Sequence, residues 1–158
     1  MKIIIEGVDR IGKTTLAKKI AKKYKLDYVH MNINDPKDFE FYKQTLRKTN
    51  VIFDRHFIGE MIYPSVFNRE RQLDMEGFIK LMEFCYEEEI KIIVLYSNDH
   101  ELLNKRMRRE RYRQVRLQYQ LINNAFYTIG KDNPQYINLL NVSDKEFKSK
   151  LKEVLKWM

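Results

Sequence analysis

The first twenty-four residues, MKIIIEGVDRIGKTTLAKKIAKKY, constrain the fold more than any other part of the chain. Residues 2–6 form an apolar run of strand length. Gly7, Gly12, Lys13 and Thr14 then satisfy G-x-x-x-x-G-K-[ST], and Leu16, Ile20 and Tyr24 recur at helical spacing with lysines on the opposite face. A strand feeding through a glycine-bracketed turn into a helix is the context in which that spacing carries chemistry.

The rest of the chain repeats the alternation. Residues 2–6, about 27–31, 50–54, 90–96 and 136–140 read as five strands. The first, third and fourth are nearly continuous apolar runs, as strands buried on both faces require, and this implies a parallel sheet covered by helices. DMEGFIKLMEFCYEEE places Phe78, Leu81, Met82 and Cys85 on one helical face. Asn98 with Glu101, and Ser143 with Glu146, have capping-box spacing. The segment SDKEFKSKLKEVLKWM reads as a terminal helix burying Phe147, Leu151, Val154 and Leu155. No repeat or composition break divides the chain. The expectation is one domain over 1–158, a three-layer α/β/α sandwich on a five-stranded parallel sheet.

The glycines let the loop backbone wrap an anion without side chains in the way, so that successive N–H groups and the positive end of the helix face a phosphate. Gly7, Asp9, Arg10, Ile11, Gly12, Lys13, Thr14 and Thr15 are therefore candidates for binding a nucleoside triphosphate, with ATP the expected donor. Lys13 can reach the β- and γ-phosphates, and the Thr14 hydroxyl suits Mg2+ arriving with the nucleotide. Within the loop, Arg10 would lie beside the phosphoryl group in transfer and stabilise its charge. Asp9 can orient a sugar hydroxyl of an acceptor. The competing reading for both is a solvent-facing loop residue.

VIFDRHFIGEMIYPSVFNR delivers Asp54 and Arg55 at the carboxyl end of the third strand, where open α/β sheets place ligands. Asp54 can hold a metal's water shell, and Arg55 can fork onto a phosphate. An Asp–Arg pair that merely stabilises the loop is the alternative. In NKRMRRERYRQVR, Arg106, Arg109, Arg113 and Arg116 would form one stripe on a continuous helix. Such a stripe suits a short lid, at about 104–116, closing over phosphates; a basic solvated face and a nucleic-acid contact compete with it.

Phe39, Phe41, Tyr42 and Phe67 suit base stacking, though aromatics so spaced more often serve a core. His30, His56 and His100 are scattered and form no metal cluster. Cys85, the single cysteine, sits among apolar residues, excludes an internal disulfide and fits a reducing compartment, so a cytoplasmic location is expected. The apolar runs are too short to cross a bilayer, and no membrane partner is expected. A net charge of +8 favours polyanions, whether nucleotide phosphates or, less favoured, nucleic acid. Nothing in the sequence speaks against a homodimer.

EGVDRIGKTT resembles the loop of thymidylate kinases of the type with an arginine inside it and, more broadly, the nucleoside and nucleoside-monophosphate kinases of the P-loop class. The resemblance implies that Asp9 approaches the acceptor's 3′-hydroxyl, that Arg10 assists transfer, and that Arg55, from a matching Asp-Arg pair, contacts the acceptor phosphate. It also supports the lid, pointing to Arg106 and Arg109. GEMIYPSVF is similar to small phage-type kinases, placing Glu60 and Tyr63 in the lining of the acceptor pocket. One departure stands out. After the second strand the family carries Arg-Glu-Pro, whereas this chain has NDPKDF, with Asp35-Pro36 and no arginine.

The resemblance thus implies Mg2+-dependent transfer of the ATP γ-phosphoryl group to a deoxynucleoside monophosphate, dTMP or an analogue. Lys13, Arg10, Asp9, Arg55 and Arg106 would be the catalytic set and Thr14 and Asp54 the metal ligands. The alternatives are a deoxynucleoside kinase using Asp35 as base, a kinase acting on a hydroxyl within DNA, and a nucleotide-binding regulatory module without transferase activity.

Overall fold

The computed structural model describes residues 1–156. Its five strands are β1 (Lys2–Gly7), β2 (Asp27–His30), β3 (Val51–Asp54), β4 (Lys91–Tyr96) and β5 (Ile137–Asn141). They form one sheet in the order β2-β3-β1-β4-β5, with every neighbouring pair parallel. The expected five-stranded parallel sheet is therefore present. The central strands β1, β3 and β4 are almost wholly buried, while the edge strands β2 and β5 are only partly so, which is why the latter read less cleanly as apolar runs.

The helices are α1 (Lys13–Tyr24), α2 (Phe39–Leu46), α3 (Tyr63–Val66), α4 (Met75–Glu87), α5 (His100–Met107), α6 (Arg113–Asp132) and α7 (Phe147–Lys156), with a 3-10 turn at Phe57–Met61. Ala17, Ile20 and Ala21 bury one face of α1. Phe78, Leu81, Met82 and Cys85 bury the expected face of α4. In α7, Leu155 is buried and Phe147, Leu151 and Val154 pack against the core at its margin. Trp157 and Met158, included in the sequence reading of that helix, lie outside the described residues.

Neither expected capping box forms as read, and an aspartate takes the N–H bond in each case. Asp99, not Asn98, caps α5 by accepting from Leu102 N at 2.9 Å. Asp144 accepts from Glu146 N at 2.9 Å, while the Ser143 hydroxyl is engaged with that of Ser97. A carboxylate offers the stronger acceptor to an N–H at a helix start.

The topology fixes where a ligand can sit. From β1 the chain crosses through α1 to β2 on one side of the sheet. From β3 it passes through α3 and α4 to β4 on the other. The carboxyl ends of β1 and β3 are neighbours, Ile5 lying opposite Asp54, so the connections leaving them diverge and open a crevice.

Candidate active site

The loop between β1 and α1 begins on the crevice. Gly7 has φ +140° and Gly12 +115°, backbone states that a side chain opposes, and a Cβ on Gly7 would collide with the Leu95 carbonyl oxygen. Val8 and Ile11 are buried and pin the loop to the core. Lys13 is folded back into the loop, its Nζ donating to the carbonyls of Gly7 and Val8 at 2.8 Å each. Burial pulls this ammonium below its usual range, opposed chiefly by the carboxylate of Asp9.

Asp54 ends β3 on the other side of the crevice. Its Oδ2 accepts from the hydroxyls of Thr14 at 2.5 Å and Tyr28 at 2.8 Å, and lies 3.1 Å from His30 Nδ1. Burial alone would push its carboxyl up; the hydrogen bonds and Lys13 outweigh burial and hold it below the ordinary carboxylate range. Its Oδ1 is buried without a partner. Two hard oxygen donors beside the loop, one with an unshared buried oxygen, fit Mg2+, which takes a few protein oxygens and completes its shell with water and phosphate. No group of three or more His, Cys, Asp or Glu side chains forms a metal cage among the described residues.

Arg55 follows Asp54 with φ +72°, and its guanidinium forms an ion pair with Asp9 Oδ1. The Tyr63 hydroxyl donates to Asp9 Oδ2 at 2.8 Å. Asp9 is buried, which raises its pKa, yet Lys13, Arg55 and Tyr63 hold it below the usual value. Asp9, Arg10, Lys13, Thr14, Arg55 and Tyr63 all line one cleft of about 860 Å³.

The arginine segment departs from the continuous helix that a single stripe requires. Helix α5 stops at Met107 and α6 starts at Arg113, so Arg106 is separated from Arg113 and Arg116 by a five-residue break. Three cationic side chains in succession, Arg108, Arg109 and Arg111 around Glu110, gain water contact by leaving the helix, while Glu110 turns inward. Arg106 Nη1 donates to the Ile11 carbonyl at 2.7 Å. Arg10 reaches across from the loop, its Nε to Glu110 Oε2 at 3.2 Å and its Nη2 to the Arg109 carbonyl at 2.8 Å. Arg109 thus offers the loop its backbone, and its side chain is exposed.

Asp35 lines the cleft at its rim, where its Oδ2 accepts from Asn32 N at 2.6 Å. Lys37 Nζ closes the same turn on the carbonyls of Asn32, Ile33 and Asp35. Tyr42 and Phe67 also line the cleft, whereas Phe39 and Phe41 pack at the core margin. Burial pushes the Cys85 thiol up to about 12, which leaves it un-ionised near neutrality.

A family model, Novel STAND NTPase 3, matches residues 2–135. The chain belongs to that family. No curated protein matches the sequence of this Novel STAND NTPase 3 member. Solved structures resemble it in fold. The Bacillus subtilis YorR protein, in complex with phosphorylated GDP, is 18% identical with a TM-score of 0.77, over 99% of this chain and 95% of YorR. Deoxyadenosine kinase from M. mycoides, with products dCMP and dCDP, is 18% identical with a TM-score of 0.61, over 99% and 97% of the two chains. A gluconokinase from Sinorhizobium meliloti is 14% identical with a TM-score of 0.59, over 99% and 92%. The architecture is thus one that P-loop kinases share, and among the described residues no helix is long and apolar enough to cross a membrane.

Two features of this family member lie outside the sequence reading. Glu60, read only as pocket lining, is buried under a two-pronged bond from Arg69, at 2.8 and 2.6 Å, and accepts from Gln72 N at 3.2 Å. Glu6, the last side chain before Gly7, is 1% exposed and accepts at Oε1 from the backbone N–H of His56 at 2.7 Å and of Gly59 at 3.3 Å. Burial lifts its carboxyl to about 7 despite those N–H groups, Lys13 and Arg55. The signal for Glu6 was available: an acid closing an otherwise apolar buried strand is costly unless a specific partner awaits it.

Proposed function

We propose that the protein is a Mg2+-dependent kinase that moves the γ-phosphoryl group of ATP to a deoxynucleoside monophosphate. The observation that carries this reading is the sharing of one cleft by the phosphate loop, Thr14 and the cation Arg55, with Asp54 buried directly behind the Thr14 hydroxyl and enough volume for a donor phosphate and an acceptor together. The loop amides and Lys13 bind the donor phosphates, Lys13 exchanging its two carbonyl partners for phosphate oxygens. Thr14 and Asp54 hold Mg2+, which supplies charge neutralisation on the phosphates. Arg10, which lines the cleft, and Arg106, which reaches the loop from α5 through the Ile11 carbonyl, are the cations assigned to the transferring group, and Arg55 orients the acceptor phosphate. A phosphate nucleophile needs positioning and neutralised charge more than it needs a base.

A nucleoside acceptor is the second reading. It is favoured by the absence of an arginine in residues 31–37, where the single cation, Lys37, is spent on three carbonyls of its own turn. The structure of YorR with phosphorylated GDP and the deoxyadenosine kinase products keep nucleotide acceptors of either kind in view. Coupled ADP release with ATP and Mg2+ across nucleosides, monophosphates and DNA tests the choice. Turnover of dTMP or an analogue supports the leading reading. Turnover confined to nucleosides or DNA replaces it, and ADP release that ignores every acceptor marks a hydrolase.

A further inference from the structure

Five carboxylates line the cleft, and three of them have both oxygens engaged by the protein. Asp9 gives one oxygen to Arg55 and the other to Tyr63. Glu60 gives both to Arg69. Glu110 gives Oε2 to Arg10 and Oε1 to Tyr112 N at 3.1 Å. Asp35, half-buried at the rim, gives Oδ2 to Asn32 N and has no partner on Oδ1. Glu6 likewise keeps one oxygen free, but as a buried side chain of β1: its Oε1 takes both backbone N–H groups, and its Oε2 has no hydrogen-bond partner. Glu6 lines the cleft while only 1% exposed, so this unpartnered oxygen sits at the cleft floor.

The position of this oxygen limits what it can meet. Glu6 immediately precedes Gly7 of the phosphate loop and is tied to the N–H of His56, the residue after Arg55, which places it at the phosphate end of the cleft. A carboxylate oxygen there has no use for a phosphate, which offers only acceptors. On a nucleoside or nucleotide, the hydrogen-bond donor near the phosphate end is a sugar hydroxyl.

We infer that Glu6 Oε2 is the hydrogen-bond acceptor for a sugar hydroxyl of the phosphoryl acceptor, making Glu6 a substrate-positioning residue of the cleft. The inference rests on the kinase reading above and departs from the role that family resemblance gives to Asp9. Without ligand both Asp9 oxygens are taken, Oδ2 by Tyr63 and Oδ1 by Arg55 until an acceptor phosphate draws the guanidinium away, whereas Glu6 Oε2 is free from the start. The division of labour within Glu6 also explains its burial: one oxygen ties the turn after Arg55 to β1, and the other reads the ligand in the space so shaped.

The test is a cycle in kcat/KM, by coupled ADP release at saturating ATP. The enzymes are wild type, Glu6→Gln and Asp9→Asn, and the acceptors are dTMP and its 3′-deoxy analogue, or the best acceptor of the panel and its 3′-deoxy form. Glutamine keeps an oxygen for the His56 and Gly59 amides and replaces the cleft-facing oxygen with a donor. Assayed at pH 8, where the Glu6 carboxyl raised to about 7 is mostly ionised, wild type loses about tenfold to a hundredfold in kcat/KM with the hydroxyl, the range of one hydrogen bond to a charged group. In Glu6→Gln the intact acceptor suffers a similar loss, the further loss on removing the hydroxyl shrinks below about twofold, and the KM for ATP is unchanged. Glu6→Asp, which keeps the charge but withdraws it by a methylene, shows the same collapse of hydroxyl dependence and guards against misfolding of the glutamine variant. The inference is overturned if hydroxyl dependence survives in both Glu6 variants, or if it vanishes in Asp9→Asn instead. Absence of acceptor-dependent turnover in wild type defeats the kinase reading itself, and the inference with it.

Discussion

The guanidinium of Arg55 rests on the carboxylate of Asp9, so that the carboxyl end of β3 and the glycine-bracketed loop share one ion pair inside the cleft. The pair keeps a cation poised beside the donor site without ligand, and an arriving acceptor phosphate competes with Asp9 for it. Arg55→Ala is expected to lower acceptor kcat/KM by about thirtyfold or more, equivalent to about 2 kcal/mol, while the ATP dissociation constant changes less than about threefold. Steady-state kinetics with calorimetry on an ATP analogue separates the two. Equal weakening of both ligands would remove the acceptor role.

A second expectation concerns the metal. Asp54→Asn keeps the size of the side chain and removes the charge that Thr14 and Tyr28 address. The Mg2+ concentration for half-maximal activity should rise by about tenfold or more. Mg2+ titration of ADP release at fixed ATP measures it, and an unchanged requirement would place the ion elsewhere.

Much of this site was legible in the sequence because its chemistry depends on backbone. Gly7 and Gly12 are written where side chains cannot go, and the long apolar runs of β1, β3 and β4 announce burial on both faces. Asp54 and Arg55 were visible because they end such a run. What escaped depends on contacts far apart in sequence. The partners of Glu6 are fifty and more residues away, and Arg69 meets Glu60 only because the 3-10 turn and α3 fold between them. The arginine segment misled for a different reason. Helical spacing is symmetric with respect to water, and periodicity could not foresee that Glu110 would turn inward and break the helix.

Glu6 and His56 are joined through the His56 N–H, and they titrate in opposite senses. His56 donates from Nε2 to Thr45 Oγ1, since that hydroxyl itself donates to the Tyr42 carbonyl, and burial depresses its pKa from 6.5 to about 3. Below pH 6.5 the unfolded chain takes a proton that folded His56 refuses, so stability falls on acidification. Folded Glu6, at about 7 against 4.5, keeps a proton that the unfolded chain releases, so stability rises as pH falls across that window. Each contributes a slope of up to about 1.4 kcal/mol per pH unit. Wild-type stability should therefore be nearly flat from pH 4.5 to 6.5. Glu6→Gln should lose stability on acidification there and His56→Gln should gain it, by urea unfolding at a series of pH values. Parallel curves for all three proteins would contradict the assignment.

The link from Arg10 to Glu110 and the Arg109 carbonyl holds the break between α5 and α6 against the loop. Glu110→Ala removes the buried acid at the centre of that link, and the segment should open more often without nucleotide. Trypsin cleavage within residues 105–116 is expected to speed up by about tenfold in the variant, consistent with loss of a partly buried charged bond. Saturating ATP should slow it again. Identical cleavage of the two proteins would show that the link does not restrain the segment.

The ammonium of Lys13, held by two carbonyls of its own loop, has a consequence for how fast the protein can capture a nucleotide. An empty anion cradle lined with converging amides would tend to collapse or stay disordered, and each encounter would then wait for it to reassemble. Here an internal cation occupies the cradle like a removable keystone, so a triphosphate meets a finished shape and needs only to displace one tethered side chain.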